Sequence, residues 1–158
     1  MKIYTLRKEQ IIRSDIDTCW QFFSKPSNLK KITPKYMGFD VVSGGEGDMY
    51  EGQVIQYEVS PLLGVKQTWL TEITHVKKNS FFVDEQRIGP YKLWHHQHIF
   101  IPKSDGTILM KDIVTYVLPT IPFSKLAHKL LVKKKLEEIF SYRFKKVETI
   151  FNKKSPQI

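Results

Sequence analysis

The feature that most limits how this chain can fold is a change of hydrophobic period near residue 122. Upstream, the pattern alternates every second residue. Over Met49 to Val59, Ile55, Tyr57 and Val59 share one face, with Gln56 and Glu58 on the other. Over Val65 to Val76, Val65, Gln67, Trp69, Thr71 and Ile73 share a face. Such alternation predicts strands with one face packed and one wet. From Pro122 onward, Leu126, Leu130, Leu131, Ile139, Phe140, Phe144, Val147 and Phe151 recur at helical spacing to about Asn152. That predicts a helix of about 30 residues, roughly 45 Å long. A helix of that length needs a large apolar surface to lie on. The expected architecture is therefore α+β: a curled antiparallel sheet of six to seven strands wrapped around one C-terminal helix.

The punctuation of the sequence supports this order. Lys2 to Ile12 reads as a first strand, and Ser14 or Asp15 can cap a short helix carrying Ile16, Cys19, Trp20 and Phe23. Pro26 ends it or opens a second short turn with Leu29 and Ile32 inward, and Thr33-Pro34 stops that turn. Tyr36 to Val42 reads as a short strand ending in Ser43-Gly44-Gly45. Ser80 to Ile88, Tyr91 to Ile101 and Thr107 to Leu118 are further strands, separated by Gly89-Pro90 and by the hairpin signal Ser104-Asp105-Gly106. No repeat, low-complexity tract or linker interrupts the chain, so one domain over 1–158 is expected, with 153–158 as a frayed tail.

Composition adds limits on location and partners. MKIYTLRKEQ has no apolar core of a secretory signal, no run approaches the length of a membrane span, and the single Cys19 allows no internal disulfide. A cytoplasmic location is the expectation. The net charge is +9, and the helical segment carries Lys125, Lys129, Lys133, Lys134, Lys135, Arg143, Lys145 and Lys146 against Glu137, Glu138 and Glu148. A solvated outer face is the plainer reading of that surplus. A transient contact with an anionic membrane surface is the functional one. No aromatic interleaving or nucleic-acid motif accompanies it, so no specific nucleic acid is expected.

The order of strand, two short helices, several antiparallel strands and a long helix resembles the START-like superfamily. This SRPBCC-type group holds polyketide cyclase/dehydrase and lipid-transport proteins, and its plant pollen-allergen members have the helix-grip fold. The resemblance covers nearly the whole chain. Its sharpest local parts are FFVDEQRIGPYKLWHHQHIF, Phe81 to Phe100, and DIVTYVLPTIPF, Asp112 to Phe123, which are similar to a bacterial ligand-binding branch. It implies a small hydrophobic ligand, lipid-like, aromatic or polyketide-like, under the long helix, and no settled reaction. One departure concerns the cavity mouth: branch members often carry glycine after the last strand, where this chain reads Pro119-Thr120-Ile121-Pro122.

Alternation then selects candidate wall residues. Trp94, His96, His98 and Phe100 share one face, and Met110, Asp112, Val114, Tyr116 and Leu118 another; taking the aromatic rows as inward turns His96, His98, Asp112, Tyr57, Tyr116 and Gln67 towards the interior. The inner set of Ser80 to Ile88 is either Phe82, Asp84 and Gln86 or Phe81, Val83 and Glu85, with the first favoured because it leaves Arg87 and Glu85 outside. Trp69, Phe22, Phe23, Phe123, Leu126 and Leu130 complete the apolar candidates, Phe123 and Leu126 at the mouth. Plain core packing explains any one of them better; the argument for a pocket is collective, since a curled sheet facing one helix leaves space to fill. His98 and Asp112 are expected as cross-strand neighbours. They would serve as a polar anchor for a ligand, as the acid/base pair of a cyclase- or dehydratase-like enzyme, or as a satisfied network that fixes the sheet. His96 and His98 point the same way, which suits a metal, but Asp112 is the one nearby carboxylate this reading supplies as a third ligand. No metal or cofactor is expected.

Overall fold

A computed structural model describes residues 2–60, 65–119 and 125–153, with the side chains of 125–130 outside the description. Strand β1, Tyr4–Ile12, leads into helix α1, Ile16–Phe23, whose first turn is closed by Asp15 accepting from the Thr18 N–H at 2.8 Å. Helix α2, Pro26–Leu29, and two 3₁₀ turns, Lys30–Ile32 and Lys35–Met37, follow. Then come β2 (Asp40–Ser43), β3 (Val54–Val59), β4 (Gln67–Lys77), β5 (Phe81–Ile88), β6 (Leu93–Pro102) and β7 (Ile108–Val117). Helix α3 spans Lys125–Val147 and runs on into a π turn over Glu148–Asn152.

The seven strands form one antiparallel sheet in the order β1-β7-β6-β5-β4-β3-β2. The hairpin registers are simple. Pairs between β5 and β6, such as Asp84 with His96, are symmetric about Pro90. Pairs between β6 and β7, such as His98 with Asp112, are symmetric about Asp105. β4 pairs with β5 through two register shifts, at Leu70/Thr71 and Ile73/His75. Such bulges bend and twist a sheet, and this one curls around the helix.

Three expectations need correction. Tyr36 to Val42 is not a strand throughout: Lys35–Met37 is a 3₁₀ turn closed by Gly38 in the left-handed conformation (φ 51°), and pairing starts at Asp40. Met49 to Val59 pairs only from Val54, because the backbone turns over Tyr50 to Gln53, where the Gln53 N–H donates to the Tyr50 carbonyl. The buried row of α3 is Val132, Leu136, Phe140, Arg143 and Val147, whereas Leu131 and Phe144 are 48% and 42% exposed. Steps of three and four residues carry that row down one side of the helix, and an arginine lies within it.

The core is divided. Trp20, Phe23, Phe82 and Phe100 gather with Ile12 and Val147 at one end. Trp94, Val114 and Tyr116 pack against Val132, Leu136 and Phe140 of α3. Ile55, Tyr57, Val59 and Ile73 form a third group on β3 and β4. Space is left between them.

Candidate functional site: a cavity with a histidine–carboxylate wall

That space is a cavity of about 420 Å³ between the sheet, α1, α2 and α3. It lies within the range of small-molecule sites, roughly 300–1,000 Å³. The wall is mostly apolar: Phe22 and Phe23 from α1, Leu29 from α2, Tyr57 and Val59 from β3, Trp69 and Ile73 from β4, and Val132, Leu136, Ile139 and Phe140 from α3. Trp69, Tyr91 and Trp94 meet edge to face and tilted, with ring centroids 4.8–5.7 Å apart. The turn that brings Tyr91 there is clamped by Gln86. Its amide nitrogen donates to the Tyr91 carbonyl at 2.7 Å, and its amide oxygen accepts from the Tyr91 N–H at 3.2 Å. A Cβ on Gly89 would lie 2.5 Å from that oxygen, so the turn is built around a residue without one.

Polar residues such as Asn28, Gln67 and Thr71 are scattered over the wall, and one largely buried charged cluster stands out. His96 and His98 stand two residues apart on β6 and face the interior, their ring centroids 3.7 Å apart. Asp84 reaches them from β5, its Oδ2 2.8 Å from His98 Nε2 and 3.4 Å from His96 Nδ1. Asp112 reaches them from β7, its Oδ1 3.0 Å from His96 Nε2 and 3.1 Å from His98 Nδ1. Arg143 of α3 puts a terminal nitrogen 3.4 Å from Asp112 Oδ1 and 3.3 Å from His98 Nδ1, with its guanidinium over the rings of Phe23 and Phe140. Phe82 stacks on His98 at 4.1 Å.

Electrostatics follow from this packing. Burial pushes the Asp112 carboxyl up, but Arg143 and the hydrogen bonds from His96 and His98 outweigh it and hold the group well below the usual carboxylate range. Asp84 is balanced the same way, burial against the two histidines and Arg143, and also ends lowered. Burial, with His98 alongside, lowers His96 against the pull of Asp84 and Asp112. Burial keeps the hydroxyls of Tyr57 and Tyr91 protonated far above neutral pH. Burial also pushes the Cys19 thiol up to about 12, which leaves it unreactive.

The structure brings Phe22, Tyr57, Trp69, Phe82, Trp94, His96 and His98 to the cavity wall. Two expected wall residues are elsewhere. Asp112 is behind the imidazoles, held there by Arg143. Tyr116 is buried beside the cavity, its ring stacked on Tyr4 at 5.5 Å and packed against Tyr91 and Trp94, which stand between it and the open space. Phe123 lies outside the described residues, as do the side chains of Leu126 and Leu130. Sequence reasoning misses two members of the cluster. Asp84 falls on the favoured inner face without being connected to the histidines; counting outward from Pro90 sets it opposite His96. Arg143 groups by charge with the solvated cations, although its spacing from Phe140 and Val147 puts it on the buried row.

No family model and no curated protein matches the sequence. Solved structures do match the fold. Protein CV1439 from Chromobacterium violaceum superposes with a TM-score of 0.69 at 16% identity, covering 95% of this chain and 99% of that one. TTHA0849 from Thermus thermophilus gives 0.67 at 18% identity, covering 92% and 95%. Ginseng major latex-like protein 151 from Panax ginseng gives 0.64 at 13% identity, covering 96% and 99%. These likenesses establish the fold: an open seven-stranded sheet gripping a long C-terminal helix, the helix-grip arrangement of START-like proteins.

Proposed function

We propose that this chain binds a small hydrophobic molecule, lipid-like or aromatic, in the cavity between the sheet and α3, and serves as its carrier or receptor. One observation carries the reading: a cavity of about 420 Å³ with a mostly apolar wall, one largely buried charged cluster at Asp84, His96, His98 and Arg143, and scattered polar groups such as Asn28, Gln67 and Thr71. Apolar walls favour a molecule that leaves water, and a few placed polar groups fix its orientation. The START-like fold is one in which ligand binding is common, which agrees with the geometry. Contact with an anionic membrane through Lys133 and Lys134, both exposed on α3, would serve ligand exchange.

The test is binding of an environment-sensitive apolar dye, with native mass spectrometry for co-purified molecules. One dye per chain is expected. Ile139→Trp, which fills the cavity from α3, should remove at least about nine-tenths of the binding while the far-ultraviolet circular dichroism stays unchanged. Dye binding that ignores the tryptophan in a folded variant would sink the reading.

The second reading is a cyclase- or dehydratase-like enzyme, favoured by the imidazoles of His96 and His98 that line the cavity beside Asp84. In it Asp84 and His98 are the acid/base pair, and Asp112 orients His98 from behind. Turnover of an enolisable or hydroxylated polyketide-like substrate, lost in His98→Gln but with dye binding kept, would select this reading over simple carriage.

A further inference from the structure

We propose that Asp84, His96 and His98 form a binding site for one divalent first-row transition-metal ion, with a coordination position open to the cavity. The site needs no ligand in the cavity and stands or falls apart from the carrier reading.

Donor geometry comes first. Asp84 Oδ2 lies 2.8 Å from His98 Nε2 and 3.4 Å from His96 Nδ1, and the three donor atoms are all within 4.8 Å of one another. Bonds of about 2.0–2.2 Å from one metal hold neighbouring donors roughly 3–3.5 Å apart. All three residues sit on adjacent paired strands, so the sheet presets the spacing.

The outer shell points the same way. The ring nitrogens that turn away from Asp84, His96 Nε2 and His98 Nδ1, both lie against Asp112 Oδ1, at 3.0 and 3.1 Å. A carboxylate that receives the distal N–H of each metal-bound histidine is the arrangement that fixes tautomer and ring orientation in metal sites. Arg143 in turn holds Asp112. His98 has two arrangements here: with Nδ1 accepting from Arg143 at 3.3 Å, its Nε2–H donates to Asp84; with both distal N–H groups given to Asp112, His96 Nδ1 and His98 Nε2 carry bare lone pairs that face a third on Asp84 Oδ2. Three converging lone pairs repel unless a cation lies among them. Asp84 and Asp112 supply two negative charges and Arg143 one positive, which leaves one negative charge. A proton would neutralise it, whereas a divalent ion leaves one positive charge that a hydroxide or an anionic ligand group at the open position would balance. The competing occupant is a proton on His98 shared with Asp84.

Imidazole and carboxylate donors together suit zinc, cobalt or iron in the divalent state. Asp84, His96 and His98 all line the cavity, so the open position faces it and would take a water or a polar group of the cavity's ligand.

The experiment uses the untagged full chain, stripped with chelator and titrated with Co(II), then Zn(II). One Co(II) per chain is expected, with the intense visible absorption of a four- or five-coordinate ion, displaced by Zn(II). Asp84→Asn and His98→Gln should each weaken Co(II) binding at least about tenfold, and Asp112→Asn about 10–100-fold with stoichiometry unchanged. His95→Gln, on the opposite face beside Glu85, should bind as wild type. Near-ultraviolet circular dichroism checks that each variant is folded. A wild-type chain that gives no such spectrum, or a folded Asp84→Asn that binds as tightly as wild type, overturns the proposal and leaves the proton as occupant. The wild-type titration decides this even if every variant unfolds.

Discussion

Asp112 and Arg143 are both nearly buried, 7% and 8% exposed, and they face each other across the sheet–helix junction. Removing one partner of a buried pair strands the other charge, and that loss exceeds the pair's net worth. Arg143→Met should therefore cost about 3–5 kcal/mol, and Asp112→Asn a similar amount. The double variant strands no charge and should lose clearly less than the two together. Urea unfolding of the four proteins measures this coupling, and additive losses would show that the two groups do not act as a unit. Alternation alone places His96, His98 and Asp112 on inward rows. It does not reveal that Asp112 supports the histidines from behind while Asp84 stands on the cavity side. Both carboxylates occupy inward positions, and only the lateral order of strands decides which nitrogen each one meets.

Helix α3 shows where periodicity reaches its limit. The apolar residues Phe140 and Phe144 read as one stripe, but Phe140 packs against His96 at 5.7 Å and is buried, whereas Phe144 is 42% exposed. Phe140→Ala should cost about 3–5 kcal/mol and Phe144→Ala less than about 1 kcal/mol. Equal losses by chemical denaturation would mean that the helix sits on the sheet with a different rotation. The error has a physical source: a pattern that counts apolar residues as inward treats a buried, paired arginine as solvated. Counting Arg143 with Val132, Leu136, Phe140 and Val147 recovers the rotation that the structure shows.

The two ends of the chain are tied together. β1 pairs with β7, Lys8 bonds Glu137 at 2.6 Å, the Gln10 amide donates to the Phe144 carbonyl, and Asn152 both accepts from the Arg13 N–H and donates to the Ile11 carbonyl at 2.8 Å. The first strand, the last strand and the last helix thus depend on one another. One cooperative unit is the expectation. Tryptophan fluorescence, which reports Trp20 in one core cluster and the Trp69–Trp94 pair in another, should give the same unfolding midpoint as far-ultraviolet circular dichroism. Separated midpoints would divide the chain into independent parts.

The sequence by itself determined the order of elements, the antiparallel hairpins and the inward rows of β6 and β7. These follow from local rules: turn residues set hairpin centres, and the two-residue repeat of a strand sets its faces. It also carried the resemblance through which the helix-grip fold could be expected. Hairpin symmetry about Pro90 already sets Asp84 opposite His96; tertiary structure alone decided two things, that Arg143 reaches Asp112 and that the core divides around a cavity instead of closing over it. Each depends on how far a curled sheet stands from a helix laid across it. That distance comes from bulges and packing between residues far apart in the chain, which no local period records.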